Sequence, residues 1–254
     1  YSFETLEEAV EFAKEGDVIT LLRDIKLSEN IIVTNSLVVA EGVEVTLDLN
    51  GKTLKGAMHK NVGAVVKNMG TLTVKNGTIS STADNGGSAI QNNGTLTVEN
   101  ATLNGAPNAG ESWPSYTVNN TGVMTVNNVT ITSHHGAVAS YGDGALVTLN
   151  NSEIDMAGIP GFTSHGIYTY NNGNVVVNGG TYANKATDQN ASGASVINGA
   201  VEVNNGTFSG RIENYYGTPV LKGGTYSVQP NKNFVPTGYK VNDNGNGTWS
   251  VVAE

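Results

Sequence analysis

The feature that most restricts how this chain can fold is a short repeat carried through most of its length. Leu72-Thr-Val-Lys-Asn-Gly-Thr-Ile79, Leu96-Thr-Val-Glu-Asn-Ala-Thr-Leu103 and Met124-Thr-Val-Asn-Asn-Val-Thr-Ile131 are three copies. Val147–Ile154, Val175–Tyr182, Val201–Phe208 and Pro219–Tyr226 continue the series, and Val45–Leu54 is an earlier, longer copy. The fifth positions are Asn76, Asn100, Asn128, Asn151, Gly179, Asn205 and Gly223, separated by 24, 28, 23, 28, 26 and 18 residues. Ahead of six of the copies lies another strand signal: Ala64–Asn68, Ala89–Asn93, Ala137–Ser140, Gly166–Tyr170, Ala194–Ile197 and Arg211–Tyr215. Each unit therefore holds three strands, with apolar and polar residues alternating so that one face of each is buried.

Strands of three to five residues do not stand alone. They become stable when equivalent strands stack, which would bury Val74, Val98, Val126, Leu149, Val177 and Val203 in one column of a parallel β-solenoid. At about 4.8 Å per strand, eight to nine rungs make a rod of roughly 40 Å. The composition agrees. Gly (32), Asn (33) and Thr (27) supply 92 of 254 residues, and Gly and Asn are poor helix formers. The recurrent Asn between the second and third strands suits a left-handed bend, and its amide can donate and accept along a stack. On that reading Asn100 and Asn128 lie inside the stack and Asn127 faces water. Gly179 and Gly223 replace Asn with the other residue that tolerates positive φ.

This pattern resembles the right-handed parallel β-helix family, the pectin-lyase-like fold, over roughly residues 19–227. The resemblance implies an asparagine ladder at the bend and a ligand cleft along the first strands. Gly16–Leu22 followed by Val45–Leu54 also resembles modules in surface proteins of Gram-positive bacteria, which implies an extracellular, cell-surface or secreted location. The whole chain, 1–254, reads as a single all-β domain. Its open ends need caps. Thr5-x-x-Glu8 is a capping box, which places a capping helix over 3–15, and Tyr239–Asn242 with Thr248–Val252 forms a C-terminal hairpin over 239–252 around Asp243–Gly247.

Charge and special residues narrow the function. Lys and Arg total 13, Asp and Glu 22, for a net charge of −9. Only two residues are Arg, so a surface that neutralises nucleic acid is not expected. The chain has no Cys, hence no disulfide framework and no thiolate site. Its apolar runs are too short to insert in a membrane. No signal peptide or wall anchor is legible, and Tyr1 is read as the start of a trimmed chain. An isolated module is expected to be monomeric.

Hydrolases of the resembled fold need clustered Asp residues across the glycosidic bond. The first strands carry one carboxylate, Glu213, so no catalytic residue is assigned. Arg211-Ile-Glu and Ser164-His-Gly match the family's catalytic elements only weakly. A lyase using Lys, His or Tyr as base stays open as an alternative. His135 and His165 each precede Gly and are expected at equivalent places in consecutive rungs, yet no carboxylate completes a metal site, and no metal or cofactor is expected. The outward Thr73, Thr97, Thr125 and Thr148 reflect β-propensity.

The aromatic residues carry the functional expectation. Tyr141, Tyr168, Tyr170 and Tyr215 fall on successive first strands, and alternation from Ile167 turns Tyr168 and Tyr170 outward. The adjoining loops add Trp113, Tyr116 and Phe162, with His135 and His165 beside them, and Tyr216 follows Tyr215. All of these but Tyr116 and Tyr216 form the candidate ligand-binding set of eight residues, since aromatic faces with polar neighbours suit sugars. The expected function is a non-catalytic binding module, adhesin-like, for a glycan or a host or cell-surface ligand. The alternatives are a polysaccharide lyase or hydrolase and a structural spacer.

Overall fold

Alternation within each short strand places every second residue inward, and in the computed structural model those residues meet turn upon turn. The structure describes residues 1–27, 36–56, 63–82, 87–105, 116–157, 163–185 and 194–254. All strand pairings along the rod are parallel. The register aligns Leu72, Leu96, Met124, Val147, Val175 and Val201 in one column. Val74 through Val203 form a second column as expected. A third runs through Leu54, Ile79, Leu103, Ile131, Ile154, Tyr182, Phe208 and Tyr226. All of these side chains are buried. The chain is thus an all-β parallel solenoid.

The first strands form one sheet, and the second and third strands share another because Asn174–Asn184 and Val201–Ser209 run through the bend unbroken. The solenoid has about six turns, not eight to nine. Full-length first strands begin at Ala64, Ser88, Tyr116, Gly136, Ser164 and Ala194. Toward the ends the repeat thins to Ile25–Lys26 at one end and to Ile212–Glu213, Val220–Leu221 and Thr225–Tyr226 at the other. Pro219, which has no N–H to give a ladder, shortens one of these.

The capping box forms as read. Glu8 N donates to Thr5 Oγ1 at 3.2 Å and Thr5 N donates to Glu8 Oε2 at 3.3 Å. The helix spans Leu6–Phe12, shorter than 3–15. Thr5 as N-cap excludes the residues before it. After Ala13, Lys14 N donates to Asp17 Oδ2 at 2.8 Å and diverts the chain into the first strand, Asp17–Thr20. Leu6, Ala9 and Val10 bury the helix's inner face. At the far end Tyr239–Asp243 and Trp249–Ala253 form the expected hairpin, which joins the solenoid antiparallel to Thr225–Tyr226.

The asparagines divide into three sets. At the bend Asn50, Asn76, Asn100, Asn128 and Asn151 have φ of 49°, 60°, 49°, 54° and 46°, the left-handed geometry expected. Gly179 follows at φ 122°. In the next two turns the left-handed residue moves on by one, to Gly206 and Gly224, so Asn205 and Gly223 do not play that part. A register irregularity between Asn178 and Thr181 marks the change.

Asn100 and Asn128 are exposed, and their amides touch only at 3.4 Å, which corrects the expectation that they lie inside a stack. The buried ladder sits at the last residue of the first strand. Asn68 Nδ2 donates to Asn92 Oδ1 at 2.8 Å, and Asn92 Nδ2 donates to Asn120 Oδ1 at 2.7 Å. Each Nδ2 also reaches carbonyls at the next corner: Gly70 and Thr95, Gly94 and Val123, Gly122 and Leu146. Gly94 and Gly122 are small for a related reason. A Cβ at either would run into the carbonyl of the matching Gly one turn before. A third, water-facing ladder links Asn204 to Asn178 at 2.9 Å, Asn178 to Asn150 at 2.9 Å and Asn150 to Asn127 at 2.8 Å.

Candidate functional site

The first-strand sheet positions the aromatic residues. Tyr116, Gly136 and His165 share a row on three consecutive turns, and Ser195 follows on the fourth. Because residue 136 has no side chain, the Tyr116 ring lies across it; a Cβ there would collide with the ring. Tyr116 thereby reaches Tyr168, two turns away, and stacks on it at 5.5 Å and 20°. His165 stacks on the same Tyr168 ring at 5.1 Å and 8°. Tyr170, also outward on that strand, lies 6.4 Å from Tyr168, nearly parallel. Tyr216 meets Tyr168 and Tyr170 edge-on at 5.5 and 5.1 Å.

The cluster is graded from inside to outside. Tyr116 and His165 are buried, Tyr168 is half-buried, and Tyr170 and Tyr216 are 41% and 51% exposed. Burial, then the nearby Tyr216 and Tyr170 and a hydrogen bond with Tyr216, push the Tyr168 hydroxyl up to about 12. Burial chiefly, with Tyr168 and Tyr216 beside it, pushes Tyr116 up as well. Both remain protonated at neutral pH. The Tyr116 hydroxyl is buried with no hydrogen-bond partner among the described residues.

Burial lowers His165 to about 4, and its Nδ1 lies 2.8 Å from Ser195 Oγ. It is therefore neutral in the fold at pH values where the unfolded imidazole, near 6.5, takes a proton. The folded pKa is depressed, so the unfolded state binds more protons between the two values. Stability is fully present above pH 6.5 and is lost as pH falls toward 4. Urea unfolding at pH 7 and pH 4.5 is expected to show His165 costing roughly 2–3 kcal/mol at the lower pH. His165→Gln is expected to lessen the pH dependence by about that much; an unchanged pH dependence would count against a buried neutral histidine.

The eight expected ligand-binding residues are distributed unevenly. His165, Tyr168 and Tyr170 belong to the cluster. Tyr141 is in register with Tyr170 on the preceding turn. Tyr215 is 71% exposed and its backbone N donates to Asn198 Oδ1 at 3.1 Å; its neighbour Tyr216 is the ring that packs on Tyr168. His135 is buried and is one residue out of register with His165. The two histidines are linked through backbone, His165 N to His135 O at 3.1 Å, and do not occupy equivalent places. Trp113 and Phe162 lie outside the described residues. Tyr116 and Tyr216, named among the aromatic residues but left out of the set of eight, belong to the cluster, and Ser195 was not foreseen. Tyr116 belonged in the set by its row, since Gly136, one turn before His165, leaves room for a ring. Tyr216 follows a two-residue strand, where alternation says nothing about direction.

Among the described residues no group of three His, Asp or Glu side chains could hold a metal ion, and no helix is long and apolar enough to cross a membrane. Comparison with protein-family models, with curated protein sequences and with solved structures gave no match.

Proposed function

We propose that this solenoid is a non-catalytic carbohydrate-binding module of an extracellular or cell-surface protein, adhesin-like in role, and that its ligand rests on the Tyr170–Tyr216 corner. The observation that carries this reading is the pair of exposed rings held at 86° to each other. Their backing is the Tyr116–Tyr168–His165 stack, which limits how far they can move. One ring offers a face to sugar C–H groups while the other offers its edge and hydroxyl. Tyr168 supports this corner and is not itself a platform, because rings already lie against it. The neutral state of His165, Tyr168 and Tyr116 suits an uncharged sugar. The surface location rests on the sequence resemblance to pectin-lyase-like modules of Gram-positive surface proteins.

A glycan array followed by calorimetry tests the reading. Tyr170→Ala and Tyr216→Ala are each expected to weaken binding about fivefold, the effect of one stacking contact of about 1 kcal/mol. Tyr215→Ala is expected to leave affinity unchanged. Unsaturated products from uronate polymers, abolished by Glu213→Gln, would replace this reading with a lyase, and silence on every glycan would leave the spacer.

A further inference from the structure

Four Asn-Gly-Thr triplets occur in the chain, at Asn76, Asn93, Asn205 and Asn246. Their local chemistry is the same, so any difference in reactivity between them comes from the fold. Asn-Gly is the pair in which a backbone nitrogen most readily attacks the preceding side-chain amide, because Gly adds no bulk at the nucleophile.

Three triplets are restrained by the solenoid. At Asn76 the side chain donates to Asp48 Oδ1 at 3.2 Å, and Gly77 is packed against Leu49 and the Lys52 carbonyl. Asn93 donates to Thr121 Oγ1 at 2.7 Å, and Gly94 lies against the backbone of Met69 and Gly70. At Asn205 the attacking nitrogen is engaged, Gly206 N donating to Asn205 Oδ1 at 2.8 Å.

Asn246 differs in the space around its glycine and, unlike Asn76 and Asn93, uses its side-chain oxygen as acceptor rather than its nitrogen as donor. It sits with Gly247 in the exposed turn of the C-terminal hairpin. Gly247 has φ 79° and open space around it. The amide oxygen Asn246 Oδ1 accepts from Thr248 N at 3.1 Å and from Thr248 Oγ1 at 2.7 Å. Thr248 Oγ1 is itself oriented by Asn244 Nδ2 at 3.0 Å. The bond to the N–H two residues on is an Asx turn, which folds the side chain back over the Gly247 amide. Both donors also stabilise the negative charge that develops on this oxygen during attack, as oxyanion donors do in acyl transfer.

We propose that Asn246 is a site of spontaneous deamidation built into the C-terminal cap. Gly247 N loses its proton to solvent hydroxide and bonds to Asn246 Cγ. The Cγ–Nδ2 bond breaks, and ammonia leaves with a proton from water. Water then opens the succinimide at either carbonyl, giving aspartate or isoaspartate. Either product adds a negative charge to the turn, and isoaspartate also lengthens its backbone by one methylene. The strand after this turn, Trp249–Ala253, is the one that joins the cap to Thr225–Tyr226, so conversion loosens the cap.

The test is peptide mapping by mass spectrometry after incubating the whole protein at mildly alkaline pH and body temperature. Asn246 is expected to convert severalfold faster than Asn76, Asn93 and Asn205, with faster hydrogen exchange at 249–253 in the converted fraction. In denaturant the four sites are expected to convert alike. Thr248→Val is expected to slow conversion at Asn246 severalfold. Conversion at Asn246 no faster than at Asn76 in the native rod would overturn the proposal, as would an unchanged or higher rate in Thr248→Val.

Discussion

Phe208→Ala is expected to be among the most damaging single substitutions in this chain, at about 3–5 kcal/mol. The ring is fully buried, between Tyr182 and Tyr226, with centroids 5.1 Å away on each side and interplanar angles of 12° and 13°. Removing it leaves a gap that the neighbours cannot close. The Tyr182 hydroxyl donates to Gly179 O at 2.7 Å and the Tyr226 hydroxyl to Gly223 O at 2.6 Å, so both rings are tethered at their far ends. A site that cannot collapse sits at the costly end of the large-to-small range. Thr207→Ala, on the exposed side of the same strand, is expected to stay within about 0.5 kcal/mol. Urea unfolding of the two variants measures the difference; a Phe208→Ala loss below about 1 kcal/mol would mean that the stack relaxes.

Asn92→Ala is expected to cost about 3 kcal/mol, because it strands several buried polar groups at once. Asn68 Nδ2 loses an acceptor, Asn120 Oδ1 loses its donor, and the carbonyls of Gly94 and Val123 lose a shared one. The buried amides around it have no water to turn to. Asn100→Ala is expected to cost only about 1–2 kcal/mol, the strain of a left-handed backbone on a residue with a Cβ. Asn100→Gly is expected to be close to neutral, since Gly accepts that φ freely. Thermal melts of the three variants rank them; a melting temperature for Asn92→Ala above that of Asn100→Ala would place the principal ladder at the bend after all.

These two cases separate what was legible from what was not. The inward column from Val74 through Val126 to Val203 could be read directly, because alternation on each short strand has only two phases and only one buries the apolar residues. The bend asparagines could also be read, since a left-handed residue is required there. The buried ladder could not. Asn68, Asn92 and Asn120 recur with the same spacing as Asn76, Asn100 and Asn128, and both sets precede a turn. Only the direction of the last residue of the first strand, into the interior, distinguishes them. The pattern Asn-x-Gly, repeated at Asn68, Asn92 and Asn120, was the available clue.

The aromatic site divides in the same way. Outward Tyr168 and Tyr170 followed from Ile167 by alternation, but the partners of their rings depend on contacts across turns. Tyr116 arrives from two turns away over Gly136, and Tyr216 arrives from the corner after Ile212–Glu213. What the sequence by itself determined was the parallel solenoid, the apolar column from Val74 to Val203, the capping box and the closing hairpin, because these rest on local periodicity and on residue types with narrow conformational choice. Only the tertiary structure decided which asparagines are buried, which tyrosines stand open and where the two histidines fall in register. Each of these depends on how one turn is shifted over the next, and a shift of a single residue reverses which side chains meet.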